Sequence, residues 1–282
     1  MTTASAEQSP VTMLDRVSSL LDAFDGHGRL TLAQLARKAN LPRSSVHRIL
    51  QHLVDLGWIE RHGFEYALGL RMFEFGALVV RDNRFHRAAA PIMRDLHLRT
   101  GLSVYLSVLR GADVLHIERI GDWPDGGEGW HVGDRQPACH AAPGRALLAR
   151  LDPAARPGPE LSGARTPYSV RTSAQLEHEL RKVRDHGAAV DMQGLTVGVV
   201  SVAAAIGPAA QAPAALTITG PASTMQPNHV LAQLLVAAAD IWSAATEPSR
   251  PRMRQPSRPR PDQRPAAPLG GPPAQPPRPR HP

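Results

Sequence analysis

The residues with the clearest chemical potential lie in a short basic stretch near the amino terminus. Between Leu35 and Leu53 the sequence reads LARKANLPRSSVHRILQHL, with four Lys or Arg residues, two His residues and no carboxylate. Residues 248–282 hold eight arginines and one aspartate, which equals the formal net charge of +7 of the whole chain, so the preceding residues are neutral as a whole. A local positive excess in a neutral body predicts that this stretch binds a polyanion.

The elements that must position this stretch are predicted from periodicity and capping. Residues 11–24 carry apolar side chains at helical spacing, Leu14 among them, which predicts a first helix with one buried face. Thr31 followed by Gln34 is typical of a capping box and predicts the start of a second helix. After Pro42 a third helix is predicted by a stripe of apolar residues, namely Val46, Ile49, Leu50, Leu53 and Leu56.

Two short apolar-polar alternations follow this third helix on either side of His62 and Gly63, and they predict a β-hairpin. Three helices followed by a hairpin make a winged helix-turn-helix. The residues predicted to face outward, on the third helix and at the tip of the hairpin, are Arg43, Ser44, Ser45, His47, Arg48, Gln51, His52 and Arg61.

These outward side chains suit DNA, because Arg pairs with guanine edges, Gln with adenine, and Ser with bases or phosphates in the major groove. The amino terminus of the third helix, near Arg43, adds partial positive charge that favours phosphate. Two alternatives stay open: a charged face is often only solvated, and a three-helix unit with a hairpin also serves as a protein-interaction module.

The remaining chain predicts a second domain of α+β class. We expect a winged helix-turn-helix domain at residues 10–69, a linker helix at 70–84, an effector-binding domain at 85–246 and a basic tail at 247–282. The Pro- and Arg-rich tail has too little apolar surface to form a core and is expected to be disordered. An apolar seam on the linker, made of Leu70, Phe73, Ala77 and Val80, predicts a homodimer or tetramer.

The segment LTLAQLARKANLPRSSVHRILQHLVDLGWIER, followed by YALG, resembles the amino-terminal domain of the IclR family of bacterial transcriptional regulators. The segments GADVLHIERIG, QPACHAAPGRALLARL, LRKVRDHGAAVD and LTITGP follow in the order of that family's second domain. The resemblance implies a winged helix, a dimerising linker helix and a GAF-like α/β domain. Such a domain binds a small organic effector, and the effector changes the affinity for a double-stranded DNA operator.

The resemblance also implies an effector site. It would lie beside the loop His140–Gly144, whose amides lead into a helix and suit a carboxylate. The residues implied at this site are His140, Ala141, Ala142, Gly144, Asp191, Ser201, Thr217 and Thr219. Small hydroxyls and amides on a rigid sheet orient a polar ligand without reacting with it. The alternative for each residue is structural: the threonines fill a strand and Asp191 caps a turn.

Three positions depart from the family's usual residues. Arg145 stands where the family usually has lysine, Gln193 and Gly194 stand where acids commonly follow, and Ser201 stands where cysteine is frequent. These changes predict an effector different from the family's familiar ones.

Other chemistries lack support in the sequence. The single Cys139 beside His140 invites a nucleophile, but adjacent residues seldom bring their side chains together, so we expect a packed thiol. The histidines show no metal-ligand spacing, so we expect no metal, no cofactor and no catalytic residues. No signal segment is evident, and glycines and prolines break the long uncharged run, so a cytoplasmic protein that does not span a membrane is predicted.

The sequence therefore predicts a DNA-binding transcriptional regulator, more often a repressor in the family, that is controlled by a small organic effector, with a carboxylate favoured. Two other functions stay open. In the first, the sheet domain is an enzyme that the winged helix tethers to DNA. In the second, the chain is an architectural protein that binds DNA through its basic tail whether or not a metabolite is present.

Overall fold

The fold comes from a computed structural model that describes residues 12–123, 129–159, 161–208 and 211–247. The predicted tail at 247–282 lies outside the described residues except for residue 247. The elements begin with three helices and a small sheet: α1 (Met13–Asp22), β1 (Leu30–Thr31), α2 (Leu32–Lys38), α3 (Arg43–Asp55), β2 (Ile59–His62) and β3 (Glu65–Leu68). Two long helices follow, α4 (Leu70–Asp82) and α5 (Arg84–Thr100).

The local signals for the first helices are confirmed. Thr31 accepts a hydrogen bond from the Gln34 amide and Gln34 caps in return, which is the expected capping box. The turn between β2 and β3 contains Gly63 in the left-handed region, at φ +64°, where glycine is favoured. In the sheet, β3 lies between β1 and β2, and both pairings are antiparallel. The winged helix-turn-helix predicted from the sequence is therefore the observed fold.

Two apolar residues of the predicted helical stripes do not reach the core. Leu14 is 79% exposed and Leu56 is 54% exposed, whereas Leu20, Leu50 and their neighbours are buried. Leu14 lies in the first turn of α1, a full turn and a half before the residues that pack on α2 and α3. Leu56 follows the last residue of α3, where the chain turns away from the helix axis.

The second sheet has six strands in the order β6-β5-β4-β9-β8-β7, and all neighbouring pairs are antiparallel. Its strands are β4 (Ser103–Arg110), β5 (Asp113–Ile120), β6 (Arg135–Pro137), β7 (Ala188–Met192), β8 (Val199–Ile206) and β9 (Ala214–Pro221). Three helices complete this part of the chain: α6 (Ala142–Leu148), α7 (Ser173–His186) and α8 (Pro227–Thr246). The sheet and its helices confirm the predicted α+β class.

The two faces of this sheet carry different side chains because strand residues alternate between faces. The outer face is apolar, with Val104, Leu106, Leu216 and Ile218 buried against α5 and α8. The inner face is covered by α6 and α7 and holds most of the buried polar residues of the sheet.

Helix α8 has the length and composition of a membrane span, with 20 residues and a mean hydropathy of 1.2. Core helices of soluble proteins share these properties. Leu234 and Ile241 are fully buried in the outer-face core, and Trp242 stacks on Phe85 of α5 with ring centroids 5.7 Å apart. Packing in this core buries one face of α8, and 33% of its apolar window is buried.

Candidate nucleic-acid interface and ligand-binding site

Helix α3 presents a polar face to solvent because its apolar face is buried in the hydrophobic core of the winged helix. Val46, Ile49, Leu50 and Leu53 are buried with Leu20 and Leu35 of the preceding helices. The predicted DNA-contacting residues of α3 are exposed or, for Ser45, partly exposed; they are Arg43, Ser44, Ser45, His47, Arg48, Gln51 and His52. The structure thus brings together on one helix face the side chains that the sequence predicted.

The two ends of α3 differ in charge. Pro42 precedes the helix, and within the described chain no side chain caps its first turn. The amides near Ser44 and Ser45 therefore remain suited to a phosphate oxygen. At the other end, Gln51 Nε2 donates to Asp55 Oδ1 over 3.4 Å, so the acid-free face ends one turn after Gln51.

The hairpin tip holds Arg61 in a defined position. Arg61 is exposed, but its Nε donates to the Gly63 carbonyl over 2.9 Å and its guanidinium lies 5.9 Å from the Tyr66 ring centroid. The side chain is held by its own hairpin instead of extending freely. Phe64, at the tip, is 87% exposed, and sequence reasoning missed it because an apolar residue after a turn glycine resembles an ordinary strand residue.

The inner face of the large sheet carries the predicted effector residues. Asp191, Ser201, Thr217 and Thr219 are all buried on strands β7, β8 and β9. Ser201 pairs with Thr219 across β8 and β9, and their hydroxyl oxygens lie 3.0 Å apart. Each of these two hydroxyls therefore already has a protein partner.

Asp191 forms an ion pair with Arg145. Arg145 Nη2 lies 3.2 Å from Asp191 Oδ1, and the two residues are only 3% and 4% exposed. The guanidinium also donates to the carbonyls of His140 and Val190, while Asp191 Oδ2 accepts from the Leu195 amide. Both carboxylate oxygens are engaged, so the structure presents Asp191 as an anchor of the loop after β7.

Two residues that differ from the family's usual ones, Gln193 and Gly194, also stabilise the loop that Asp191 anchors. A Cβ atom on residue 194 would collide with Asp191 Oδ1, so Gly194 leaves room for the carboxylate. Gln193 adopts φ +65° and accepts a hydrogen bond from the Gly198 amide, which closes the turn.

The loop His140–Gly144 is tightly packed against the preceding chain. The amides of His140 and Ala141 both donate to the Pro137 carbonyl, at 3.1 and 3.2 Å, so they are not open to a carboxylate. Gly144 is buried against the Ala138 backbone, which a Cβ atom would strike, so its role is close packing of α6. Residues 140, 141 and 142 are likewise buried. The loop therefore packs α6 against the sheet, and a ligand carboxylate at this helix start would have to use amides other than those of His140 and Ala141.

Sequence reasoning missed three polar residues on this inner face. Tyr105 of β4, His116 of β5 and Gln136 of β6 are buried, and His116 Nδ1 lies 2.8 Å from Ser107 Oγ. Burial lowers the pKa of His116 to about 4, and a hydrogen bond with the Gln136 side chain and the negative charge of Asp134 oppose this only in part. Burial also raises the pKa of Tyr105 to about 12. The sequence signal that could have identified this buried polar group is His116, the single histidine in the strand segment VLHIERI.

The lowered pKa of His116 predicts a loss of stability in mild acid. The unfolded chain has a His pKa near ~6.5. Below that pH the unfolded state takes up a proton that the folded state rejects, so this contribution is full above pH ~6.5 and is lost as the pH falls toward 4. We expect wild type to lose about 2 kcal/mol more free energy of unfolding than His116→Gln between pH 7.5 and pH 5. Urea unfolding at both pH values measures this, and equal losses would contradict it.

The remaining chemical groups considered in the sequence are the Cys139–His140 pair and candidate metal ligands. Cys139 and His140 are buried, at 2% and 1% exposed, as expected for a packed thiol. Across the described ranges, no three His, Cys, Asp or Glu side chains converge as a metal site.

The geometry so far defines a DNA-binding winged helix joined through α4 to a sheet domain with a buried polar face. Comparison with known proteins agrees. Residues 13–63 match the IclR helix-turn-helix domain, and residues 77–244 match the carboxyl-terminal domain of bacterial transcriptional regulator IclR. The chain belongs to the IclR family of transcriptional regulators, which bind DNA and a small-molecule effector.

Individual relatives support this assignment. The chain is 30% identical to the transcriptional regulator BhcR of Paracoccus denitrificans, over 76% of this chain and 79% of that protein. It is 28% identical to the glycerol operon regulatory protein of Streptomyces coelicolor, over 81% and 92%. The crystal structure of an IclR homolog of Microbacterium hydrocarbonoxydans complexed with 4-hydroxybenzoate superimposes with a TM-score of 0.72. That homolog is 25% identical and covers 83% of this chain and 99% of its own.

Proposed function

We propose that this protein is a cytoplasmic repressor that binds a palindromic operator as a homodimer or a homotetramer, and that a small organic effector sets its occupancy. The outward face of α3 carries the proposal, because its basic and hydroxyl side chains are exposed while its apolar face is fixed in the core. The proposed domains are residues 10–69, 70–84 and 85–246, followed by the tail at 247–282.

The proposed DNA contacts are those predicted from the sequence. Arg48 and Gln51 are the proposed base readers, and Arg43, Ser44 and Ser45 the proposed phosphate contacts at the helix start. Arg61 and His62 would meet the flanking backbone, with Arg61 oriented by the Gly63 carbonyl.

Dimerisation is supported by the apolar surface of α4. Leu70 and Phe73 are 68% and 70% exposed in the single chain, although large apolar side chains normally seek burial. Ala77 is exposed as well, and Val80 is partly buried. A second copy of α4 would cover this seam and place two α3 helices on one face of the DNA.

The sheet domain is proposed to bind its effector without transforming it. One relative was crystallised with 4-hydroxybenzoate and others regulate glycerol operons, so small hydroxylated molecules are reasonable starting candidates for this chain. A carboxylate on the effector would compete with Asp191 for Arg145, because Asp191 already balances the positive charge of Arg145. The enzyme alternative gains no support from Cys139 and His140, which lie buried in the turn before α6. The architectural alternative depends on the tail, outside the described residues.

Selection of double-stranded DNA from a random library with the full-length chain tests this proposal. We expect the enriched sites to contain two inverted half-sites whose centres are one or more helical turns apart, because two α3 helices related by a twofold axis require that spacing. Phe73→Glu, which places a charge in the α4 seam, should lower operator affinity at least tenfold and shift the mass toward a monomer. Glu74→Gln on the same helix is the matched control. Failure to enrich any sequence would refute the proposal.

A further inference from the structure

The tip of the β2–β3 hairpin presents an aromatic side chain to solvent. Phe64 is 87% exposed, which is the largest exposed fraction among the large apolar side chains that the structure describes. Single exposed apolar residues occur on most protein surfaces and do not by themselves indicate a site. The position of Phe64, its rigid support and the charges beside it indicate a function.

The hairpin supports Phe64 rigidly. Only Gly63 and Phe64 lie between the end of β2 and the start of β3. Gly63 has φ +64°, and glycine at the first position of a two-residue loop is typical of the tight turns that join hairpin strands. Below the turn, Ile59 and Tyr66 are buried in the core of the winged helix. The ring of Phe64 is therefore held at a defined place outside that core.

The hairpin places Phe64 next to the proposed DNA-binding helix. Residues 56–58 connect α3 to β2, and Ile49, Leu53 and Ile59 share one core. The four residues of β2 rise about 3.3 Å each, so the tip projects about 13 Å from the base of the hairpin. A helix in the major groove has a phosphate backbone on either side, and the minor groove begins beyond it. The hairpin is long enough to cross that backbone.

A cation is fixed beside the exposed ring. Arg61 Nε donates to the Gly63 carbonyl over 2.9 Å, and the Arg61 guanidinium lies 5.9 Å from the Tyr66 ring centroid. These two contacts hold the positive charge of Arg61 at the tip, next to Phe64. Arginine is favoured in narrow minor grooves, where the negative potential of the duplex is enhanced.

The two carboxylates of the hairpin each lie near a histidine. Glu60 Oε2 is 3.5 Å from His62 Nε2, and Glu60 Oε1 accepts from the Leu70 amide over 3.4 Å. Glu65 is directly opposite His62 in the β2–β3 pairing, where side chains share one face. Neither carboxylate therefore meets an approaching phosphate backbone without an imidazole beside it.

We propose that Phe64 is a wedge that enters the minor groove beside each half-site and partly unstacks one base step there. The inference rests on the proposed function and deepens it, because it assigns a residue that selects operator sequence outside the contacts of α3. Apolar side chains of minor-groove binders insert between base steps in this way and kink the duplex. Pyrimidine–purine steps such as TA and CA unstack most easily, so the operator should carry one beneath Phe64 although the ring contacts no base edge.

The first measurement is the affinity of the full-length chain for the operator obtained by selection. Phe64→Ala should bind about tenfold more weakly than wild type, because the contacts that offset the cost of deforming the DNA are gone. Phe64→Leu keeps an apolar side chain and should retain most of the affinity. Leu98→Ala is the matched control, since Leu98 is 76% exposed on α5 in the second domain, and it should bind like wild type.

The second measurement distinguishes a wedge from an ordinary contact. The pyrimidine–purine step beside each half-site is replaced by a stiff A-tract, and the rest of the operator is kept. Wild type should lose about tenfold in affinity on this DNA, whereas Phe64→Ala should lose about twofold at most, because it no longer deforms the step. On the original operator, 2-aminopurine at the same step should brighten when wild type binds and should stay dim with Phe64→Ala.

Four results would overturn the proposal. They are equal operator affinity of wild type and Phe64→Ala, an equal loss for both proteins on the A-tract operator, unchanged 2-aminopurine fluorescence with wild type, and a smaller assembly for Phe64→Ala in sedimentation, which would make Phe64 a subunit contact. Thermal unfolding of Phe64→Ala should match wild type, because the ring lies outside the core. Selection of inverted half-sites by wild type tests the proposed function separately. Success there with failure here refutes only the wedge, and failure there refutes both.

Discussion

Asp191→Ala will lower the free energy of unfolding by about 3 to 5 kcal/mol, which is among the largest effects a single substitution has in this fold. The alanine removes the carboxylate that accepts from Arg145 Nη2 at 3.2 Å and from the Leu195 amide at 3.2 Å. Arg145 is then left as an uncompensated charge that is 3% exposed. Urea unfolding at pH 7.5 followed by circular dichroism measures the change.

A second substitution in the same pair provides the control. Asp191→Leu alone should lower the stability as Asp191→Ala does, for the same reason. When Arg145→Met is added to Asp191→Leu, no charge remains buried, and apolar replacement of a buried pair is often neutral. The double variant should therefore recover most of the lost stability, with a coupling energy of at least about 2 kcal/mol in the double-mutant cycle. If Asp191→Ala unfolds like wild type but no longer responds to an effector, Asp191 is a ligand contact and the anchoring role is wrong.

Arg48→Ala will weaken operator binding by about 1 to 3 kcal/mol, which corresponds to roughly 5- to 150-fold in affinity. The side chain lies on the exposed face of α3, so its loss removes base or phosphate contacts and leaves the core of Leu20, Leu50 and Leu53 intact. Fluorescence anisotropy with the selected operator at fixed salt measures the affinity, and thermal unfolding should show no change.

The matched control for Arg48 is Arg94→Ala, an exposed arginine on α5 in the second domain. Since both substitutions remove one positive charge from the chain, a comparable loss in the two variants would mean that net charge drives binding and that α3 has no special place. The salt dependence separates two further cases. A smaller salt slope for Arg48→Ala points to a phosphate contact, and an altered preference among operators points to a base contact.

The first domain was predictable in detail because its signals are local. The Thr31–Gln34 capping box, the turn glycine Gly63 and the stripe from Val46 to Leu53 each act within a few residues of chain. Once the apolar face of α3 is assigned to the core, its opposite face is fixed by the helical period of 3.6 residues. The exposure of Leu14 and Leu56 was not predictable in this way, since periodicity gives a direction around the helix but not whether another element covers that turn.

The inner face of the large sheet was predictable only in part. Thr217 and Thr219, which the resemblance implied, lie on one side of β9, because side chains two residues apart on a strand share a face. Which of them has a partner depends on β8, where Ser201 meets Thr219 and Ala203 is opposite Thr217. Register between strands is set by packing over the whole sheet, so hydroxyl pairing cannot be assigned from one strand alone.

The order of the elements, the polar face of α3 and the family of the chain could be predicted without the fold, because they depend on short-range patterns and on motif order. The partners of the charged and polar groups in the second domain could be identified only from the folded structure. Arg145 and Asp191 are 46 residues apart yet neutralise each other, and the amides of His140 and Ala141 bond to Pro137. Four neighbouring strands carry Tyr105, His116, Gln136 and Thr217, and these residues share one face only after the sheet has formed. Long-range pairing therefore decides which polar groups of this domain have a partner, and that pairing exists only in the folded chain.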